Sequence, residues 1–564
     1  MAGLRRRLWL LAGIALVAAI VVMIVAPPQA AEAGGLGLLS LYSLARMFAA
    51  YLIALVFAIA YGTTAATNKK AATVMLPLLD VLQSIPILAF FPAVLFFFVN
   101  TFNGSPIGLE ISVVVLVFTS MAWNMAFGVY EAITTIPQDL EDAAAEFGVT
   151  GWLRFRRLMF PAAVPKLVYN SILSWTNGWF FLVASEVFTA FGRTYTRPGI
   201  GSFIAAAGIR GDSGSIALGL AALVVVVLAV DALVWRPLSG WADAFRLDVP
   251  RGEMVRAPRP YERLRWIPRF PGMWHRITRP VRPLLRVYDH ASFRLEHAYT
   301  RHPTVPRTLR RVDLAMFLVV FVIVVGAGLV GLAGLFLHPP AEAGELPAAV
   351  VFSFARLLLA YGLALAWTIP VAAYVGRSAH AARIVTPVLE VFASVPATAL
   401  LPVILGFAIA ATARQELGLQ LASVLIALFS MQWYLLFNLI GGVRSIPGDL
   451  SEAARVFGLR GLTYWRRVLL PAIVPSFLTG SITAWGAGWN ALIVSEYFPS
   501  VQSTPLTGLG GLLDKATFLT GVTGDNQLLL FTIFTMIFVV FAMNKLLWHP
   551  LLKRAFLRYR VEAQ

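Results

Sequence analysis

The chain is written twice. Residues Ser43 to Glu186 recur as Ser353 to Glu496 at a constant displacement of 310 positions, without a gap. Through that register run Arg46 and Arg356, Pro77 and Pro387, Ser84 and Ser394, Pro86 and Pro396, Pro92 and Pro402. Further along come Trp123 and Trp433, Pro137 and Pro447, Gly148 and Gly458, Pro161 and Pro471, Trp175 and Trp485, and Trp179 and Trp489. A displacement this long signals two copies of a whole folding unit, not a solenoid of short repeats. Any fold available to the first copy must suit the second, and the two must pack on each other.

The copies are apolar. Of 564 residues 59% are hydrophobic and 13% charged, far from the balance of a soluble domain and characteristic of an integral membrane protein. A helix needs about 20 apolar residues to cross a bilayer core of about 30 Å. Such runs fall near 8–26, 43–66, 76–99, 108–131, 162–190 and 215–235, then near 314–337, 349–376, 386–410, 418–442, 472–497 and 526–548. The expected fold is all-α and integral to the membrane, with twelve transmembrane helices as two parallel six-helix repeats. Six spans per unit restore sidedness, so the repeats relate by an axis along the membrane normal. The expected domains are a first unit at 1–235, a basic amphipathic tether at 236–312 and a second unit at 313–564. The start, three arginines then an apolar run, also fits a cleavable signal. Its run is longer than a signal's usual 7 to 15 residues, and the reading adopted is a helix.

Charge sets orientation. The formal net charge is +17, and the tether from Arg236 to Arg311 holds seventeen arginines against six acids. A basic segment between apolar blocks fits the positive-inside rule and anionic lipid headgroups, and no nucleic-acid partner is expected. Its alternation of Trp, Tyr, Phe and Leu with arginine and proline suits short pieces lying at the membrane surface. The other basic clusters, Arg5 to Arg7, Lys69 and Lys70, Arg154 to Arg157, Arg377 to Arg383, Arg466 and Arg467, and Lys545 to Arg560, fall on the same side. Both termini are therefore expected in the cytoplasm.

Several chemistries are excluded. The chain has no cysteine, hence no disulfide, thiolate metal site or cysteine nucleophile. None of its six lysines follows a glycine, so no phosphate-binding G-x-x-x-x-G-K-[ST] loop exists. No catalytic residue, metal site or cofactor is expected in this chain, and it is read as a non-enzyme.

Two polar stretches stand out, DAAAEFGVTGWLRFRRLMFPAAVP from Asp142 and EAARVFGLRGLTYWRRVLLPAIVP from Glu452. Each lies between the fourth and fifth spans of its unit. Pro137 and Pro447 can open a helix, early acids suit its dipole, and Gly148 and Gly458 can close it. Small central alanines leave room for a partner surface. The pattern acid-Ala-Ala, three residues, Gly, then P-x-x-x-P resembles the coupling-helix signature of ATP-binding-cassette importer permeases. SIPILAFFP, SVPATALLP, GWFFLVASE and GWNALIVSE narrow the likeness to permeases of the nitrate, sulfonate, taurine and bicarbonate type. The resemblance covers both units and omits only the tether and tails. It implies a type I importer-like architecture, with two ATPase subunits docking at Asp142, Ala143, Ala144, Gly148 and at Glu452, Ala453, Ala454, Gly458. It also implies ATP and Mg on those subunits and an extracytoplasmic binding protein that delivers a small-molecule substrate, a small anion or organic acid of that class. One departure is Asp142 where the second copy has Glu452, which points to unequal docking sites.

Ionisable residues inside spans are suspects for function. Arg46 is expected to pair with Glu186 and Arg356 with Glu496 as structural ion pairs, while Asp80 and Glu390 cap helices or steer ions. Candidates for a pathway are Trp123, Asn124 and Asn177 in the first unit, and Trp433, Tyr434 and Asn490 in the second. Positions 177 and 180 share a helix face, and each unit puts its asparagine at a different one, against Ala487 and Phe180. The rival readings are a fused permease for ferric iron or thiamine, a secondary transporter, and a membrane enzyme. The seven histidines lie in loops or at span ends, which speaks against a proton relay.

Overall fold

A computed structural model describes residues 35–84, 86–191, 193–242, 245, 337, 339–412, 414–497, 506–523 and 526–559. The spans expected at 8–26 and 314–337, and nearly all of the tether, lie outside these residues. Seven helices among the described residues are long and apolar enough to cross a membrane.

The first unit comprises α1 (Gly35–Thr67), α2 (Lys69–Ser84), α3 (Ile87–Thr101), α4 (Pro106–Thr134), the short α5 (Gln138–Glu146) and α6 (Phe160–Glu186). A two-stranded hairpin follows, β1 (Val187–Ala190) and β2 (Arg193–Thr196), then α7 (Ile200–Ile209), α8 (Ser213–Val230) and α9 (Arg236–Ala242). The second unit repeats the order as α10 (Leu346–Arg377), α11 (Ala379–Ala393), α12 (Leu401–Thr412), α13 (Gln415–Arg444), α14 (Gly448–Val456), α15 (Leu470–Tyr497), α16 (Leu509–Thr523), α17 (Gln527–Met543) and α18 (His549–Tyr559). In each unit the fourth helix is the hub, with α4 between α1 and α6, and α13 between α10 and α15. On α1 the contact stripe is Met47, Ala50, Ala54 and Ala58, all fully buried. Small residues at helical spacing let two backbones approach closely, which is how helices associate where lipid offers no hydrophobic drive.

Two features depart from the expected spans. The apolar runs at 76–99 and 386–410 are not single helices. Each breaks at its proline, Pro86 between α2 and α3, and Pro396 between α11 and α12. A proline removes a backbone donor and disfavours helix in the residue before it, and the chain restarts with Ala89 N–H to Pro86 O and Ala399 N–H to Pro396 O, both 3.0 Å. The second departure is α7 and α16, with the hairpin before α7, inserted between the fifth and sixth spans.

Among the described residues four π-helical turns punctuate the long helices, at Phe155–Met159 and Asp231–Trp235 in the first unit, and at Trp465–Leu469 and Asn544–Trp548 in the second. Each closes on the residue just before a proline, namely Phe160 before Pro161, Arg236 before Pro237, Leu470 before Pro471 and His549 before Pro550. In a regular α-helix the proline ring would strike the carbonyl four residues back and leave it without a donor. Widening the turn by one residue moves that carbonyl aside, and the N–H ahead of the proline bonds five residues back instead, as Phe160 does to Phe155.

The halves meet through α3 against α15, α7 against α12, α16 against β1 and α3, and α17 against α2 and α3. One apolar core therefore runs from Ile87, Phe91 and Phe188 into the second unit.

Candidate functional site

At one end of the molecule α5 and α14 stand out from the bundle. No residue of α5 is buried. Both helices end in the same Schellman turn: Gly148 at φ +65° donates to Ala145 O (3.0 Å) and Val149 to Ala144 O (2.8 Å). Gly458, also at φ +65°, donates to Arg455 O (3.1 Å) and Leu459 to Ala454 O (2.9 Å). A left-handed residue there strongly favours glycine, which gives Gly148 and Gly458 a local reason. Just before each glycine a phenylalanine is thrust outward, Phe147 at 83% and Phe457 at 79% exposure. Asp142 and Glu452 are exposed, Ala143 and Ala144 half-buried, Ala453 exposed and Ala454 buried. The two elements differ in anchoring. Arg154 binds Glu141 at 2.6 Å behind α5, whereas the matching positions hold Tyr464 and Ser451, and Tyr464 lies under the Arg377 guanidinium at 4.9 Å.

At the opposite end each unit carries a buried ionic latch. Arg46, fully buried, reaches Glu186 with Nη1 at 2.8 Å. It also grips Glu110 through Nε (2.7 Å) and Nη2 (2.9 Å), and Arg197 Nε adds a third bond to Glu110 at 2.6 Å. The Glu186 carboxylate accepts from Ser43 Oγ (2.6 Å) and from Gly201 N–H (2.7 Å) at the start of α7, where the helix dipole favours an anion. In the second unit Arg356 binds Glu496, which also accepts from Ser353 Oγ (2.8 Å) and Gly510 N–H (2.9 Å) at the start of α16. A Cβ on Gly199 would lie 2.1 Å from Glu186 Oε1, and one on Gly508 2.5 Å from the Glu496 carboxyl, so only glycine lets the loop close over either acid.

The expected pairs are thus brought together, and Glu110 and Arg197 join them unforeseen. Their counterparts are neutral: Gln420 Oε1 accepts from Arg356 Nε at 2.6 Å, and Leu506 stands where Arg197 does. The available signal was this joint loss of an acid and a base, visible once the loop register slips from 310 to 309 positions.

The pathway candidates do not converge. Trp123 packs on Phe57 (5.7 Å) and Phe118 (6.5 Å), and Trp433 on Phe429 (5.9 Å) and Trp367 (6.3 Å). Asn124 and Tyr434 are half-buried, and Asn177 donates to Ser120 O at 3.4 Å. Asn490 instead reaches across the molecule, its Oδ1 accepting from Ile87 N–H at 2.9 Å. Nearby, Thr398 Oγ1 donates to Phe180 O at 2.9 Å. A space of about 20 Å³, room for one water, lies between the halves, lined by Val187, Gly201, Ala205, Thr398, Pro402 and Val494 among others. Of Asp80 and Glu390, the second is exposed, and the Asp80 side chain lies outside what is described.

Known proteins resemble part of the chain. It is 31% identical over 147 residues to a nitrate import permease protein, NrtB, of Leptolyngbya laminosa, covering 26% of this chain and 50% of that protein. It is 29% identical over 166 residues to the taurine transport system permease protein TauC of Escherichia coli, covering 29% and 55%. A bicarbonate transport system permease protein, CmpB, of Synechococcus elongatus matches at 33% over 91 residues, covering 16% and 31%. The chain thus spans about half the length, or less, of these relatives. The profile of one family, binding-protein-dependent transport system inner membrane component, matches residues 50–234 and again 345–548. With the profile falling once on each unit, the chain belongs to that family of ABC transporter permeases, as two units fused in one polypeptide.

Proposed function

We propose that the chain forms the whole transmembrane part of an importer driven by two separate ATPase subunits, one docked on α5 and one on α14. An extracytoplasmic binding protein delivers the solute to the latch end. The solute is a small anion or organic acid, the class to which nitrate, taurine and bicarbonate belong. The observation that carries this reading is the matched pair of exposed helices, each locked by a left-handed glycine and each offering one phenylalanine to an absent partner. Helix α5 buries none of its residues and α14 buries Ala454, so packing gives little reason for either to be kept rigid, and a helix-in-groove contact supplies one.

On this reading the docking end is cytoplasmic, both termini included, and the chain sits in a prokaryotic inner membrane. ATP and Mg act on the partner subunits, and this chain performs no covalent chemistry. ATP draws the ATPases together, α5 and α14 follow, and the halves rock about their common axis. Affinity-purified chain should bring a P-loop ATPase with it, two copies per chain by native mass spectrometry. The double variant Phe147→Ala, Phe457→Ala should retain at least tenfold less. Purified chain that carries no ATPase from its native membrane overturns the reading.

A further inference from the structure

We infer that the pathway is shut at the latch end by a closure built from both halves: the Asn490 amide holding the Ile87 N–H, and the Tyr497 ring stacked on Phe188, with Glu186 and Glu496 as positioning residues. It rests on the reading above, which makes this end extracytoplasmic.

The helix breaks create the need. A restarted helix exposes N–H groups that have no intrahelical acceptor, and away from water they must find one. At the break before α3 the acceptor comes from the other unit. Asn490 Oδ1 takes the Ile87 N–H at 2.9 Å, while its Nδ2 donates to Gly486 O at 3.0 Å and so fixes the amide. The symmetry-related position is Phe180, which has no side-chain acceptor. There the tie is remade in reverse, with Thr398 Oγ1 donating to the Phe180 carbonyl at 2.9 Å. Two breaks and two unlike bonds thus seat each unit's broken helix on the other unit's fifth span.

Above these bonds lies a ring pair. Phe188 and Tyr497 belong to different units and stack with centroids 4.7 Å apart and planes 21° from parallel. Phe91, four residues into α3 from Ile87, meets Phe188 edge-on at 4.5 Å, and the Tyr497 hydroxyl bonds Thr517 Oγ1 on α16 at 3.0 Å. Glu186 precedes Phe188 by two residues, and Glu496 precedes Tyr497 by one. Each ring therefore leaves a strand of chain pinned by a buried carboxylate, a guanidinium and a helix N-terminus. Contacts within a unit are ionic and buried, whereas these ties between units are neutral and aromatic. Rocking parts the weaker set first, so the latches stay shut while the closure opens.

Because the chain has no cysteine, the double variant Phe188→Cys, Tyr497→Cys reports on this contact alone. Purified with its ATPase subunits in lipid nanodiscs, it should cross-link under mild oxidation in the resting state. Trapping with ATP and vanadate should lower the yield at least fivefold. Once formed, the cross-link should slow ATP turnover about tenfold, with recovery on reduction. Independently, Asn490→Leu should raise basal ATPase several-fold in the absence of the delivery protein. Adding Glu496→Gln to the cysteine pair should lower the resting yield with the ATPases still bound, and Glu496→Asp should restore part of it. A yield indifferent to nucleotide while bound ATPases turn over, full turnover in the cross-linked state, or unchanged basal activity in Asn490→Leu overturns the closure. Absence of any bound ATPase overturns the functional reading, and the closure falls with it.

Discussion

Arg46 is fully buried and surrounded by two carboxylates, and its bond to Glu186 recurs in the second unit while its bonds to Glu110 do not. Several changes between the units come as pairs. Glu110 and Arg197 give way to Gln420 and Leu506, Glu131 and Lys166 to Gly441 and Ser476, and Glu141 and Arg154 to Ser451 and Tyr464. In the other direction Glu345 and Lys515 stand where the first unit has Gly35 and Ala206. A buried charge stripped of its partner costs about 3–5 kcal/mol, whereas replacing both partners is nearly neutral. For exposed pairs such as Glu131–Lys166 the stake is smaller, about 0–1 kcal/mol. Glu110→Gln alone should therefore destabilise the chain by about 3 kcal/mol or more. Adding Arg197→Leu, which reproduces the second unit's arrangement, should recover most of the loss. Thermal unfolding of both variants in detergent checks this, and equal midpoints for single and double variants would contradict it. Arg46 and Glu186 were legible because they are duplicated. Glu110 was not, because its copy is a glutamine and Arg197 falls where the register slips, so their joint loss in the second unit shows only after realignment.

Prolines write the helices. The four π turns and the two broken spans all stand at prolines that recur in both units, one residue ahead in the case of each turn. Pro86, Pro161 and their copies Pro396 and Pro471 were legible as a repeated pattern, but their effects were not, and Pro237 and Pro550 lie beyond that register. An apolar run long enough to span looks the same whether its helix is continuous or interrupted, since every position in it is lipid-compatible. The helices α7 and α16 escaped for a related reason, being too short to register as spans. Pro161→Ala should let the π turn at Phe155–Met159 relax to α-helical register, turning the segment before it, α5 included, by about 100° against α6. Spin labels on α5 and α6 would report that change as an altered distance, and an unchanged distance would show that the turn is held by its surroundings. On α8 the cap is Asp212, which accepts from Ser215 N–H (3.0 Å) and Ser215 Oγ (2.6 Å). Those bonds hold its carboxyl below the usual aspartate range. Its contribution is present above the unfolded-state pKa and is lost as pH falls through the depressed one. Protection of the Ser215 and Ile216 amides from exchange, relative to the unstructured rate at each pH, should therefore fall below that pH in the wild type and be low at every pH in Asp212→Ala.

Across the whole molecule the two units share a backbone plan but not a surface. Helix α5 carries Asp139, Glu141, Asp142 and Glu146, and α14 carries Asp449 and Glu452 with Arg455 beside them. With ATPases docked as proposed, raising salt should weaken the first contact more than the second, because exposed charges are screened over about 10 Å at 0.1 M. Retention of ATPase by chains altered at one helix only, measured across a salt series, should show the steeper fall where α5 is the intact helix. The repeat, the helical class and the position of the two polar helices α5 and α14 could be read from the sequence. What joins the units could not, since Asn490 finds Ile87 only once two distant segments have folded against each other.

The one-residue slip after Glu186 and Glu496 gives the first unit the longer loop. Fusion makes such drift permanent, for two separate identical subunits could never differ in this way. If a binding protein delivers its solute there, as proposed, it meets two unlike sequences and has a single seating, so the delivered molecule enters with a defined left and right.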